Sequence, residues 1–215
     1  MNQVHPTRRL VVLDVDSTLI EQEVVEILAK YAGRELEVAE VTERAMKGEL
    51  DFAGSLRARV IQLAGLPSSV FERALAEIRI TKGAEQLIQS VHAAGGFVGA
   101  VSGGFSQILE PLAKKLNLDF ALANKLEVLE NQLTGLVLDP IIDKPAKATA
   151  LRNWAADTGI ALNQTIAIGD GANDLDMMAA AGLSIGFNAK PRVRVAADLL
   201  IDSGDLSDAI KLLGL

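Results

Sequence analysis

Leu10-Val11-Val12-Leu13-Asp14-Val15-Asp16-Ser17-Thr18 is the stretch that sets the architecture of this chain. An unbroken apolar run that ends on acids and hydroxyls reads as a strand, Leu10–Asp16, buried on both faces and emerging at a sheet edge. In open α/β sheets, ligands bind outside the carboxyl ends of the strands. Strand alternation carried to Asp16 places Asp14 and Asp16 on the same side. Two carboxylates so close repel unless a cation lies between them or one keeps a proton. The competing reading of an isolated Asp-x-Asp is a strand-end turn with an acidic helix cap.

Outward from this stretch, further strand-length apolar runs occur at Phe97–Ser102, Thr165–Gly169, Leu183–Phe187 and Leu199–Ile201. Helical spacing fills the intervals, with Leu87, Ile88, Val91 and Ala94 on one face and Ile108, Leu109, Leu112 and Leu116 on another. Pro111 predicts a late start or a kink in that second helix. The alternation predicts an α/β fold, a doubly wound, Rossmann-like parallel sheet covered on both sides. Two stretches break it. Residues 21–80 contain no strand and read as several helices, a small cap inserted after the first strand and joined by two crossings of the chain. Lys125–Leu138 reads as a hairpin, with Glu130-Asn131-Gln132 between its arms. The expected organisation is a catalytic core of residues 1–20 and 81–215 with a helical cap of residues 21–80.

Composition narrows the partners. The chain has 215 residues, 49% hydrophobic and 23% charged, which suits one soluble domain with an insertion. Its formal charge is 21 − 28 = −7, with no dense Lys/Arg cluster, so nucleic acid is not an expected partner. An acidic protein that handles phosphate must gather cations locally. There are no cysteines, which excludes disulfides and thiolate metal sites and fits a cytoplasmic setting. No apolar run reaches the ~18 residues of a membrane span, and the start lacks a signal peptide's apolar stretch and cleavage site.

Three more segments carry candidate chemistry. Thr165–Gly169 runs into Asp170-Gly171-Ala172-Asn173-Asp174, which brings Asp170 to the same sheet edge as Asp14. Carboxylates from two strand ends, with water and backbone oxygen, form a hard-cation site suited to Mg2+. Asn173 and Asp174 also fit a plain helix cap. Val101-Ser102-Gly103-Gly104 is a strand followed by a Gly turn and a helix, where a hydroxyl and backbone N–H groups at a helix start make an anion site. Pro145 reads as the first residue of a helix, which puts Lys147 in a first turn, where a cation opposes the helix dipole. Lys144 competes with Lys147 for a role in the site.

These four segments, in this order, resemble the haloacid dehalogenase-like superfamily of phosphatases. Within it, Glu23, Ala45–Phe52, Ser55–Val60, Thr81 with Lys82-Gly83-Ala84, Ser102-Gly103-Gly104-Phe105 and Gly169–Asp174 resemble the phosphoserine phosphatases over nearly the whole chain. The resemblance implies a Mg2+-dependent phosphomonoester hydrolase that converts L-phosphoserine and water to L-serine and phosphate, the last step of serine biosynthesis. It implies Asp14 as the nucleophile that becomes an aspartyl phosphate, and Asp16 as the acid and then the base. Metal would be held by the carboxylates of Asp14 and Asp170 and the backbone carbonyl of Asp16. Ser102, the Gly103 N–H and Lys147 would surround the phosphoryl oxygens, Asn173 would touch phosphate or its water, and Asp174 would orient Lys147 or support the metal.

The substrate's amino-acid end requires a cation and an acid. Arg59 and Glu23 fit those roles, with Arg57 as the alternative arginine. Met46 and Phe52 would form an apolar wall that closes over the substrate, or else pack the cap. The regulatory amino-terminal domain of some relatives is not expected here. Expected partners are a small-molecule substrate, with no membrane or nucleic acid, in a monomer or homodimer. His5, His92, Tyr31 and Trp154 read as structural, and Asp202–Asp208 as a solvated turn and helix cap. Rival readings are a relative acting on phosphothreonine or another small phosphoester, a phosphotransferase to an acceptor alcohol, and a phospho-accepting signalling module. Asp16 argues against the last, because a receiver that stores the phosphoryl group lacks this second acid.

Overall fold

A computed structural model describes residues 8–215, which leaves His5 outside the described residues. Seven strands form one sheet: β1 (Leu10–Leu13), β2 (Phe97–Phe105), β3 (Phe120–Leu129), β4 (Gln132–Leu138), β5 (Thr165–Gly169), β6 (Leu183–Phe187) and β7 (Leu199–Ile201). Their order is β4-β3-β2-β1-β5-β6-β7. Every neighbouring pair is parallel except β3 with β4. Chain direction across the sheet therefore reverses between β1 and β5, the place where doubly wound sheets open a ligand crevice.

Side-chain alternation along β1 divides the interior in two. Val11 and Leu13 join one apolar cluster, Leu10 and Val12 the other, and all four are fully buried. The first cluster includes Leu87, Ile88 and Val91 of α5 (Ala84–Ala93) and Ile108, Leu109, Leu112 and Leu116 of α6 (Ser106–Leu116). The second is covered by α7 (Lys144–Thr158) and α8 (Leu175–Ala180). The chain then adds α9 (Pro191–Ala196) and α10 (Asp208–Leu213). Trp154 of α7 stacks on Phe120 with ring centroids 5.2 Å apart.

Several expectations need correction. Strand β1 ends at Leu13, three residues early, because Asp14 and Asp16 lead into a wide turn. There Leu19 N–H donates to Asp14 and Ile20 N–H to Val15 across five residues, and Ser17 sits at φ 58°. Asp16 thus leaves the strand, and alternation does not set its direction. Pro111 neither delays nor ends α6, since Ser106–Leu116 forms one helix. One missing backbone donor is offset by burial of that helix's apolar face. The hairpin's first arm reaches back to Phe120 and joins the main sheet beside β2. Its turn is only Glu130-Asn131, both at positive φ, the pair that matches strand twist. Gln132 already belongs to β4.

Between β1 and β2 lie α1 (Val24–Ala32), α2 (Glu35–Met46), α3 (Phe52–Val60) and α4 (Val70–Glu77). Their apolar residues do not form a separate core. Ile27, Leu28, Leu56, Val60, Leu63 and Val70 continue the cluster on the first face of the sheet. The insertion is also stitched to the hairpin, with Gly65 N–H donating to Leu133, Leu133 N–H to Leu66 and Ser68 N–H to Asn131. It is therefore held by more than its two chain crossings. Tyr31 sits at the edge of this core, donates to Glu77 and carries Arg73 over its ring. His92 pairs with Asp119 at 2.8 Å on the far side of the molecule, a partner not foreseen. The acidic tail is more than a solvated turn: Asp205 binds Ser207 and Lys82, and Asp202 binds Arg194 through both oxygens.

Candidate active site

The carboxyl ends of β1, β2 and β5 converge below α1–α3 on a cleft of about 630 Å3. Asp14 follows β1, its backbone N–H donating to Ile168 on β5 at 2.8 Å. Its carboxylate Oδ1 accepts from Val15 N–H and from Lys147 Nζ, both at 2.7 Å. Lys147 enters from α7, whose amino end is capped by Asp143 accepting from Ala146 N–H at 3.0 Å. That helix begins at Lys144, one residue before the predicted start. Lys147 Nζ also donates to Asp174 Oδ1 at 2.7 Å, so the lysine is 1% exposed and clamped between two acids. Lys147, not Lys144, reaches the site.

Asp170 follows β5, and Asp174 sits one turn on, where its Oδ2 accepts from Gly171 N–H. Carboxylate oxygens of Asp14, Asp170 and Asp174 all lie within 4.8 Å of one another. Three buried hard-oxygen donors in this spacing suit Mg2+ far better than a soft metal. Asp174 already uses both oxygens on Lys147 and Gly171, which leaves Asp14 and Asp170 as the more available pair.

Charge in this pocket is crowded, and the acids respond. Burial, then Glu23 and Asp14, push the Asp16 carboxyl up to about 8, against Val24 N–H and Lys147. That direction favours the protonated form of Asp16. Burial and Asp14 also raise Asp174, against the pull of Lys147 and Gly171. Burial works to lower Lys147, but Asp14 and Asp174 outweigh it and raise it overall. These shifts pull the Lys147–Asp174 pair in opposite senses. They are reconciled because one ammonium faces two carboxylates: Lys147 stays charged, and the excess negative charge destabilises Asp174. Burial raises Asp170, and Lys190 Nζ at 2.9 Å offsets part of that effect.

The second motif departs from its predicted shape. Ser102-Gly103-Gly104 is not a turn into a helix but an irregular end of β2, with the register against β3 shifting between Ser102 and Phe105. Ser102 Oγ accepts from Gly104 N–H at 2.7 Å and lies 3.5 Å from Asp16 Oδ2, at the outer limit of a hydrogen bond. Space is tight at both glycines. A Cβ on Gly104 would lie 2.7 Å from Asp16 Oδ2, and one on Gly103 would lie 2.9 Å from the Phe52 ring.

From above, Asp16 Oδ1 accepts from the Val24 N–H at the start of α1. Glu23 accepts from Ser17 Oγ at 2.8 Å and faces the cleft with Phe52, Arg59 and Asn173. Arg59 is half-buried; burial lowers its pKa, while Glu23 and Asp16 oppose that. Arg57 points away and pairs with Asp139 at 3.2 Å. Met46 borders the cleft but is 84% exposed, so it neither packs the cap nor forms a closed wall in this arrangement. Two residues escaped the sequence reading. Ser17 orients Glu23, and Lys190 holds Asp170. The second was detectable in principle, because Asn188-Ala189-Lys190-Pro191 repeats the pattern of strand end, polar turn and helix start.

A family profile for haloacid dehalogenase-like hydrolases matches residues 11–179. The chain belongs to the haloacid dehalogenase-like hydrolases. Within that family it is 54% identical to a phosphoserine phosphatase of Streptomyces coelicolor over 97% of this chain and 51% of that one. It is 50% identical to a phosphoserine phosphatase of Streptococcus thermophilus over 95% of both chains. The chain thus spans about half the length of the Streptomyces coelicolor relative and nearly all of the Streptococcus thermophilus one. A solved structure described as a phospho-aspartyl intermediate analogue of phosphoserine phosphatase superposes with a TM-score of 0.90 at 41% identity, covering 96% of this chain and 99% of that one. No helix among the described residues is long and apolar enough to cross a membrane.

Proposed function

We propose that this chain is a Mg2+-dependent phosphatase that hydrolyses L-phosphoserine through a phosphorylated Asp14, as a cytoplasmic enzyme of serine biosynthesis. The observation that carries the reading is a cleft in which Lys147 holds the Asp14 carboxylate and a second acid, Asp16, stands beside Ser102 and faces Glu23 and Arg59.

In the first half-reaction an Asp14 carboxylate oxygen forms a bond to phosphorus, and the bond from phosphorus to the serine oxygen breaks. Asp16 passes its proton to that oxygen, since an alkoxide is a poor leaving group. In the second, a water oxygen forms a bond to phosphorus, the bond from phosphorus to the Asp14 oxygen breaks, Asp16 takes the water's proton, and phosphate leaves a regenerated Asp14. Ser102, the Gly103 N–H, Lys147 and Asn173 serve the phosphoryl oxygens. Asp14, the Asp16 carbonyl and Asp170 are the residues that would hold Mg2+, which supplies charge neutralisation on the phosphoryl group. Asp174 keeps Lys147 in place.

Glu23 serves the ammonium and Arg59 the carboxylate of the amino acid, with Phe52 and Met46 as the apolar side. Residues 21–80 act as a cap over a core of residues 1–20 and 81–215. The test is phosphate release from L-phosphoserine with Mg2+ and with EDTA, beside phosphothreonine, phosphoethanolamine and an aryl phosphate. Selective, Mg2+-dependent release supports the reading. Release from the aryl phosphate alone would keep the Asp14 chemistry and remove the Glu23 and Arg59 assignment.

A further inference from the structure

The two lysines on the acidic cluster are built differently. Lys147 is 1% exposed, serves Asp14 and Asp174, and has nowhere else to go. Lys190 serves Asp170 alone, with Nζ 2.9 Å from Oδ2, yet its side chain is 63% exposed while that of Asp170 is 7%. Its main chain is fixed at this spot, because Lys190 N–H donates to the Asp170 carbonyl at 2.9 Å just after β6 and before α9. A buried carboxylate needs a cation. A lysine whose side chain is mostly exposed can supply one and swing away from it.

We infer that Lys190 is a built-in counter-cation for Asp170, which it releases when a divalent ion enters the cluster, and that it thereby weakens the cluster's hold on that ion. The inference rests on reading Asp14 and Asp170 as metal-holding carboxylates. Lys190 is a positioning residue here, acting through Asp170. The opposite role, orienting Asp170 for the metal from behind, predicts the opposite sign, because loss of such support weakens metal binding.

The experiment is calorimetric titration of Mg2+ alone into EDTA-stripped, dialysed wild-type protein, Lys190→Gln and Lys190→Arg. The expected result is Mg2+ affinity about fivefold higher in Lys190→Gln, the scale of one partly exposed ion pair, and near wild type in Lys190→Arg. Thermal melts give the second readout, with Lys190→Gln less stable without metal and showing the larger gain on Mg2+ addition. Unchanged or weaker Mg2+ binding in Lys190→Gln, beside a wild type that binds, overturns the inference and leaves the metal reading standing. A wild type that takes up no Mg2+ overturns both.

Discussion

The floor and the roof of the cleft follow opposite building rules. On the floor, Asp14, Ser102, Lys147, Asp170 and Asp174 are each at most 5% exposed, and each has a defined polar partner. On the roof, Met46 is 84% exposed, and α2 buries only Val38 and Val41. Buried charges must be satisfied for the chain to fold at all, so the floor's geometry is tied to global stability. Of the roof's cleft-facing groups, Leu56 is buried in the core, while Met46 and Arg59 are less constrained. On the proposed function, the reacting groups are the rigidly held ones, while Met46 and Arg59, proposed for ligand selection, are freer to adjust.

The largest expected effect breaks the floor directly. Asp14→Asn keeps the shape and removes the proposed nucleophile, so phosphate release should fall by about 10^4-fold or more. Retention within tenfold of wild type would show that the floor's carboxylate is not the reacting group. Lys147→Met should next reveal the floor as a stability element. It strands Asp14 and Asp174 without a cation, at a cost of about 3–5 kcal/mol readable in urea unfolding.

On the roof the comparison predicts a split between kinetic constants. Arg59→Met should raise KM for L-phosphoserine by about 10-fold to 100-fold, the range of a lost charge-assisted hydrogen bond, with melting temperature and phosphoethanolamine turnover little changed. An equal loss on both substrates would detach Arg59 from carboxylate recognition. Met46→Ala should alter stability by no more than about 0.5 kcal/mol while raising KM. A large stability loss there would contradict the exposed roof.

The smallest effect lies at the latch where the insertion rejoins the core. Asp205 is held down to about 2, first by Ser207 and then by Lys82. Its folded-state carboxyl is lowered, so its stabilisation is present above the ordinary carboxylate range and is lost as pH falls through about 2. The melting difference between wild type and Asp205→Asn should therefore be full at pH 5 and shrink between pH 4 and pH 2.

Most of the architecture is visible along the chain because buried parallel strands are apolar on both faces, and runs such as Thr165–Gly169 and Leu183–Phe187 carry that signal over their whole length. The strand ends were less legible. Asp16 and Gly103-Gly104 occupy a wide turn and an irregular strand end, forms set by hydrogen bonds to distant partners rather than by local pattern. By itself the sequence determined that acids, a hydroxyl and a lysine would gather at one sheet edge, since each follows an apolar strand or opens a helix. The resemblance already named Lys147 and Arg59 ahead of Lys144 and Arg57; the tertiary structure put Lys147 and Arg59 at the cleft, turned Arg57 to Asp139, and added Lys190. Charge pairing across long stretches of chain depends on where the strands lie side by side, and β1, β5 and β6 become neighbours only when the sheet is assembled.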